Sequence, residues 1–196
     1  MKATLHRRAV VSTLLAERGD LLVVAGLGST AWDCTAAGDS SLTFPLWGAM
    51  GGAAMIGLGV ALAQPRRRVL VVTGDGEMLM GLGSLATIGV QRPRNLAVAV
   101  IDNERYGETG MQATHTAHGV DLAAIARGCG FAEARVVWRP SGLKAACGSL
   151  RAGAGPVLVQ IKVVAEKLPL VLPPRDGALL KARFRRALLG PVADTE

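Results

Sequence analysis

Residues 71–90 read VVTGDGEMLMGLGSLATIGV and place a single carboxylate, Asp75, between two glycines at the end of an apolar run. Val69 to Thr73 (VLVVT) is a β-branched run of the kind that forms a buried parallel strand, and the residues from Met78 to Val90 have helical length and spacing. Asp75 therefore sits in a strand-to-helix turn. In open α/β sheets such turns lie at the carboxyl ends of strands, where ligands bind, and flanking glycines let backbone approach a ligand closely. A carboxylate there suits a metal ion or a ribose. It equally suits the N-cap of the next helix, whose first N–H groups lack partners.

Working outward, apolar strands recur at 21–25 (LLVVA), 96–101 (LAVAVI), 134–137 (ARVV) and 156–163 (PVLVQIKV), with helices expected over 3–18, 50–64, 77–90, 121–128 and 141–151. The alternation predicts an α/β fold: a doubly wound parallel sheet in a three-layer α/β/α arrangement. Beyond Lys167 the composition changes to PLVLPP and then DGALLKARFRRALLG, read as a linker and a basic amphipathic helix opened by Asp176. The organisation is thus a binding domain over 1–166 and a Pro-containing tail over 167–196. That tail helix is expected to dock on this chain or on a partner.

With 196 residues, half of them apolar, the chain is long enough to bury one good core. Its three cysteines lack CxxC spacing, which argues against a disulfide framework, a zinc site or an iron–sulfur cluster and fits a reduced, cytoplasmic compartment. The uncharged segment 40–65 contains LWGAMGGAAMIGLGVALA, yet glycines at this density make a poor membrane span and suit a buried helix packed closely on its neighbour. The N-terminal stretch has charges on both sides of a short amphipathic run and does not read as a signal peptide. The formal charge of +7 raises the question of nucleic acid. Against that, the basic residues are dispersed and aromatics are 4% of the chain, too few for stacking platforms. Anionic ligands or an acidic partner account for the charge as well.

Two motifs bear on chemistry. GLGSTA at 26–31 follows a strand and fits the G-x-G-x-x-A dinucleotide pattern, but that pattern wants an acidic residue about twenty positions on at the end of a second strand. Asp39 comes too early, in a GDSS loop. What survives is a glycine- and hydroxyl-rich turn that offers backbone N–H groups to a phosphate. The second motif pairs Asp75 with DNERYG at 102–107, separated by enough chain for one helix and one return strand. Both then emerge at the same sheet edge on successive strands. A carboxylate, a carboxamide oxygen and a nearby backbone carbonyl are hard ligands suited to Mg²⁺ holding a diphosphate, which favours the ligand reading of Asp75 over the cap.

GDG at 74–76 closed by DN at 102–103 resembles the motif of thiamine diphosphate-dependent enzymes, which begins GDG and ends NN. The resemblance runs over roughly residues 20–165 and is strongest from Gly48 to Thr114. Asp102 stands where the family has its first Asn, and the spacing is slightly longer, the excess falling in QRPRN. By this resemblance Asp75, the Asn103 side chain and the Arg105 carbonyl would bind Mg²⁺. Gly74, Gly76, Glu77 and Tyr106 would belong to the cofactor site, with Gly76 and Glu77 offering backbone to the diphosphate. Ser29 and Thr30 would lie near the diphosphate, the Gly48 carbonyl would meet the aminopyrimidine, and Met50 would wedge beneath the two rings.

The resemblance covers only the diphosphate-binding half of such enzymes. The glutamate that activates the aminopyrimidine belongs to a separate pyrimidine-binding domain, so a second chain is expected to complete the active site in a hetero-oligomer. Stand-alone halves of this kind, with GSLATIG at 83–89 and YGETGMQATHT at 106–116, resemble the β subunits of sulfopyruvate decarboxylases and the matching half of phosphonopyruvate decarboxylases. The implied activity is decarboxylation of a small 2-oxo acid, with the cofactor carrying the chemistry. A carboligase subunit and a non-catalytic nucleotide-binding regulatory subunit are the alternatives; a ferredoxin oxidoreductase β chain is disfavoured by the lack of a cysteine cluster. His115, in THTAH, is the candidate proton carrier near neutrality, with His118 behind it and His6 structural.

Overall fold

The computed structural model describes residues 3–194. The elements follow in the order α1 (Arg7–Leu15), β1 (Leu22–Ala25), α2 (Ser29–Ala36), β2 (Thr43–Pro45), α3 (Ala53–Ala63), β3 (Val69–Gly74), α4 (Asp75–Met80) and α5 (Gly83–Gln91). Then come β4 (Leu96–Asp102), β5 (Arg105–Tyr106), β6 (Gln112–Ala113), α6 (Leu122–Gly128), β7 (Glu133–Val137), α7 (Pro140–Ala152), β8 (Val157–Lys162) and α8 (Gly177–Leu189), with short 3-10 turns between them. Six strands form one parallel sheet in the order β2-β1-β3-β4-β8-β7, and β5 with β6 makes a small antiparallel ribbon.

The apolar runs become central strands because both of their faces are covered. Alternate side chains divide between two cores. Val23, Leu70, Val72, Ala97, Ala99, Val157 and Val159 pack under α1, α2 and α7. Leu22, Val24, Val69, Val71, Val98, Val100 and Leu158 pack under α3, α5 and α6. This is the expected three-layer, doubly wound architecture.

The glycine-rich segment behaves as a close-packed helix. A Cβ on Gly57 would come within 2.2 Å of the Val71 side chain, so α3 lies directly on β3. Among the described residues no helix is long and apolar enough to cross a membrane.

Four sequence expectations need correction. The single helix over 77–90 is two helices, because Gly81 leaves the helical path where its Cα side meets the Gly51 carbonyl, 2.2 Å from a Cβ placed there. The helix over 3–18 is shorter, and Leu5 instead pairs with Val163 beside the sheet. Helix α2 was absent from the expected elements because STAWDCTA has no apolar stripe; its Asp33 is buried and paired with Arg7 and Arg8. Strand β2 is a three-residue edge strand ending in proline, too short for a periodic signal.

The tail helix docks on this chain. Asp176 caps it by accepting from the Ala178 and Leu179 N–H groups, Phe184 packs on Phe44 of β2 with ring centroids 5.4 Å apart, and Arg183 pairs with Asp39 at 2.6 Å. Asp39, rejected above as a ribose ligand, is thus an anchor for the tail. The three cysteines are free. Burial pushes the Cys34 thiol up to about 12, so it is an inert core residue.

Candidate active site

Strands β1, β3 and β4 lie side by side, so the loops at their carboxyl ends converge. The register carries this to single residues: Gly74 pairs with Ile101 and Asp102 with Lys162, which sets Asp75, Asp102 and Lys162 in a row across three strand ends. Both carboxylates are buried. Thr114 Oγ1 donates to Asp75 Oδ2 at 2.5 Å, and Thr116 Oγ1 donates to Asp102 Oδ1 at 2.8 Å and approaches Asp75 Oδ2 at 3.3 Å. Neither hydroxyl uses Asp75 Oδ1. Burial first, then the neighbouring charge of Asp102, push the Asp75 carboxyl up to about 6; the threonine hydroxyls pull the other way.

Asp102 is held on its other side. Gln160 Nε2 donates to its Oδ2 at 2.6 Å, and Lys162 Nζ lies 2.9 Å from Oδ2 and 2.7 Å from Glu104 Oε1. Glu104 takes a left-handed conformation at φ 62°, a costly one for a non-glycine residue, and the Lys162 pair and the Glu104 N–H bond to Asp102 hold it there. The turn it makes is closed by Asn103 Oδ1, which accepts from the Arg105 N–H at 2.9 Å.

These loops enclose a pocket of about 300 Å³, a size suited to part of a cofactor. Its wall includes Ser29, Thr30, Met50, Gly74, Asp75, Gly76, Glu77, Asn103, Arg105 and Tyr106, so ten of the twelve residues singled out in the sequence come together. Gly76 is a cradle: a Cβ there would strike the Tyr106 ring at 2.5 Å and stand 3.6 Å from Met50 Cε. Gly48 is exposed beside the pocket and does not line it. His115 is likewise exposed and outside the pocket: at the start of the 3-10 turn His115–His118, Thr114 and Thr116 point inward to the two carboxylates and His115 points away. His118 is exposed too, and His6 pairs with Glu166.

Two members behave unexpectedly. The Glu77 side chain is buried, accepts from Thr73 Oγ1 at 2.8 Å and lies where a Cβ on Gly26 would fall, 1.8 Å from Oε2. Burial raises its carboxyl pKa, against the Thr73 hydroxyl and the backbone N–H groups of Ala53, Gly51 and Leu27. Glu77 therefore ties the β1 loop, the start of α3 and β3 together. The Thr30 hydroxyl donates back to the Gly26 carbonyl at 2.8 Å and stabilises the loop.

Sequence reasoning left Thr114, Thr116, Gln160 and Lys162 without a role, as well as Arg7 and Asp33. The signal was a polar residue in or closing an otherwise apolar strand: LAVAVID ends in Asp102 and VLVQIK carries Gln160 and ends in Lys162. Such residues in fully buried strands require partners.

The donor set fits a divalent cation: Asp75 is a buried carboxylate whose ionisation is opposed by Asp102, and Asn103 brings a carboxamide to the same pocket from the adjacent strand. Among the described residues no three His, Cys, Asp or Glu side chains are grouped so as to hold a metal ion by themselves.

A parallel α/β sheet with a glycine-cradled, carboxylate-bearing pocket at its carboxyl edge defines a phosphate-cofactor-binding domain. More particularly, residues 28–161 match the family profile of the thiamine pyrophosphate enzyme C-terminal TPP binding domain, and the chain belongs to that family. It is 39% identical over 191 residues to a phosphonopyruvate decarboxylase from Streptomyces viridochromogenes, covering 96% of this chain and 48% of the relative. It is 43% identical over 110 residues to the sulfopyruvate decarboxylase subunit beta of Methanocaldococcus jannaschii, covering 56% of this chain and 58% of that one. The chain thus spans about half the length of these curated relatives. Benzoylformate decarboxylase from Polynucleobacter necessarius shares the fold, with a TM-score of 0.68 at 19% identity over 85% of this chain and 34% of that one.

Proposed function

We propose that this chain is the diphosphate-binding subunit of a cytoplasmic, thiamine diphosphate- and Mg²⁺-dependent 2-oxo acid decarboxylase, assembled as a hetero-oligomer with a separate pyrimidine-binding subunit. The observation that carries the reading is the meeting of Asp75 and Asn103, from adjacent strand ends, in one pocket with Gly76 and Met50. Decarboxylase names among the relatives, and a relative named as a β subunit, support it.

In this reading the Asp75 and Asn103 side chains and the Arg105 carbonyl would hold Mg²⁺, and the backbone at Gly76 would meet the diphosphate. The bound cofactor would supply the electron sink for loss of CO₂. Thr114 fixes the Asp75 carboxylate by donating to Oδ2, with the Thr116 hydroxyl close to the same oxygen, and Oδ1 is left for the metal. Met50, Tyr106, Leu27 and Ile101 give the pocket apolar walls that exclude water. His115 has no part in this assignment, since it lies outside the pocket. Sulfonate- or phosphonate-bearing 2-oxo acids are the substrates suggested by the relatives' names.

Purification with the native partner, loading with thiamine diphosphate and Mg²⁺, and assay of such 2-oxo acids tests the reading. The expected result is one CO₂ and one aldehyde per substrate consumed, lost when Mg²⁺ is chelated. Accumulation of a carbon–carbon coupled product would reassign the chain to a carboligase. No turnover of any 2-oxo acid by the loaded complex would leave a binding subunit.

A further inference from the structure

Arg7 opens α1, yet it is only 4% exposed and lies on the wall of the pocket. Its Nη1 donates to the Ser29 carbonyl at 3.2 Å and pairs with Asp33 Oδ2, while Arg8 Nε donates to Asp33 Oδ1 at 3.0 Å. Two guanidinium groups thus share one buried carboxylate. One positive charge is left over, and Arg7 is the member that presents it to the pocket.

Glu108 stands in the same corner. It belongs to a three-residue turn, Gly107–Thr109, between glycines 107 and 110, the latter at φ 120°. Its carboxylate rests against the turn before Ser29: Oε1 would be 2.9 Å from a Cβ on Gly28. Burial raises its pKa, and the charge of Arg7 acts against that rise. The two groups do not make a direct ion pair among the described contacts. The loop therefore sets a carboxylate opposite a net-positive corner of the pocket, whose lining also holds Asp75, Glu77 and Arg105.

We propose that Arg7 is the receptor in this pocket for a phosphate of the diphosphate ligand, and that Glu108 is an internal anion holding that corner until the ligand displaces it, with the 107–110 turn swinging on its glycines. The identity of the ligand rests on the thiamine diphosphate reading above; the pairing of Arg7 with Glu108 does not. A phosphate carries more charge and more acceptor oxygens than a carboxylate, and a guanidinium matches it bidentately, so the exchange favours the ligand.

Calorimetric titration of the complex with its native partner, using Mg²⁺ and either inorganic pyrophosphate or thiamine diphosphate, tests this. Removal of the competing charge in Glu108→Gln is expected to tighten both ligands by about three- to tenfold. Arg7→Gln is expected to weaken both by about tenfold or more and to flatten the salt dependence of binding, with Arg7→Lys regaining part of the loss. A purely structural Arg7 would lower the melting temperature without altering the salt slope. Glu108→Gln changes one residue of a surface turn, so it carries the test even where Arg7→Gln fails to fold. Wild-type binding of either ligand with unchanged affinity in Glu108→Gln overturns this proposal and leaves the functional reading standing. Binding of neither ligand by the wild-type complex overturns both.

Discussion

Asp75→Asn is expected to make the ligand-free protein more stable at pH 7.5 while abolishing Mg²⁺-dependent binding of thiamine diphosphate. The opposed signs follow from one carboxylate. In the fold its pKa is about 6 against an ordinary 3.8, because burial and then Asp102 oppose its charge. Between those values the native state binds more proton than the unfolded chain, so stability falls as pH rises from about 4 to about 6 and the cost is full above 6. Asparagine removes that cost and keeps an oxygen for Thr114 and Thr116. The gain is about 3 kcal/mol, a rise in melting temperature of roughly 6–12 °C. It should shrink as the pH is lowered from 6 and vanish near 4. Thermal melts across pH, with calorimetric titration of cofactor and Mg²⁺ at pH 7.5, measure both halves. A variant that melts lower at neutral pH, or that still binds cofactor with wild-type Mg²⁺ dependence, would show that Asp75 serves the fold and not the metal.

Lys162→Met is expected to be severely destabilising, by about 3 kcal/mol or more. Lys162 is 4% exposed, and its ammonium joins Asp102, which is fully buried, to Glu104 and lies 5.2 Å from the centre of the Trp138 ring. Without it, the Asp102 carboxylate is left with only neutral donors around it, and Glu104 loses the partner that holds its left-handed backbone. The melting temperature should fall by roughly 6–12 °C. Adding Asp102→Asn should recover most of that loss, because the orphaned charge is gone; the pair couples through direct contact. Simple addition of the two single losses would show that the pair is not the source of the effect.

The same pair explains how far the sequence could be read. The sheet was legible because its strands are uninterrupted apolar runs, and the site was legible because Asp75 and Asn103 fall at the ends of two such runs that pair in register. Asp102 stands where the family motif has an asparagine; the structure makes it half of a pair whose other half, Lys162, is sixty residues away on the neighbouring strand. No local pattern encodes that pairing. Helix α2 was illegible for a related reason: Asp33, which would break an apolar stripe, is buried because Arg7 and Arg8 reach it from α1. His115, chosen for its chemistry, lies exposed outside the pocket, while the positions on either side of it, Thr114 and Thr116, carry the contacts to Asp75 and Asp102.

Exposed apolar side chains near the pocket, Met50, Met80 and Trp47, are consistent with a surface covered in the assembly proposed above. The most direct measurement of the central claim is native mass spectrometry of this protein purified from its own source. The expected result is a complex with a second, different chain carrying the masses of thiamine diphosphate and Mg²⁺. An assembly of this chain alone, without that cofactor, would contradict it.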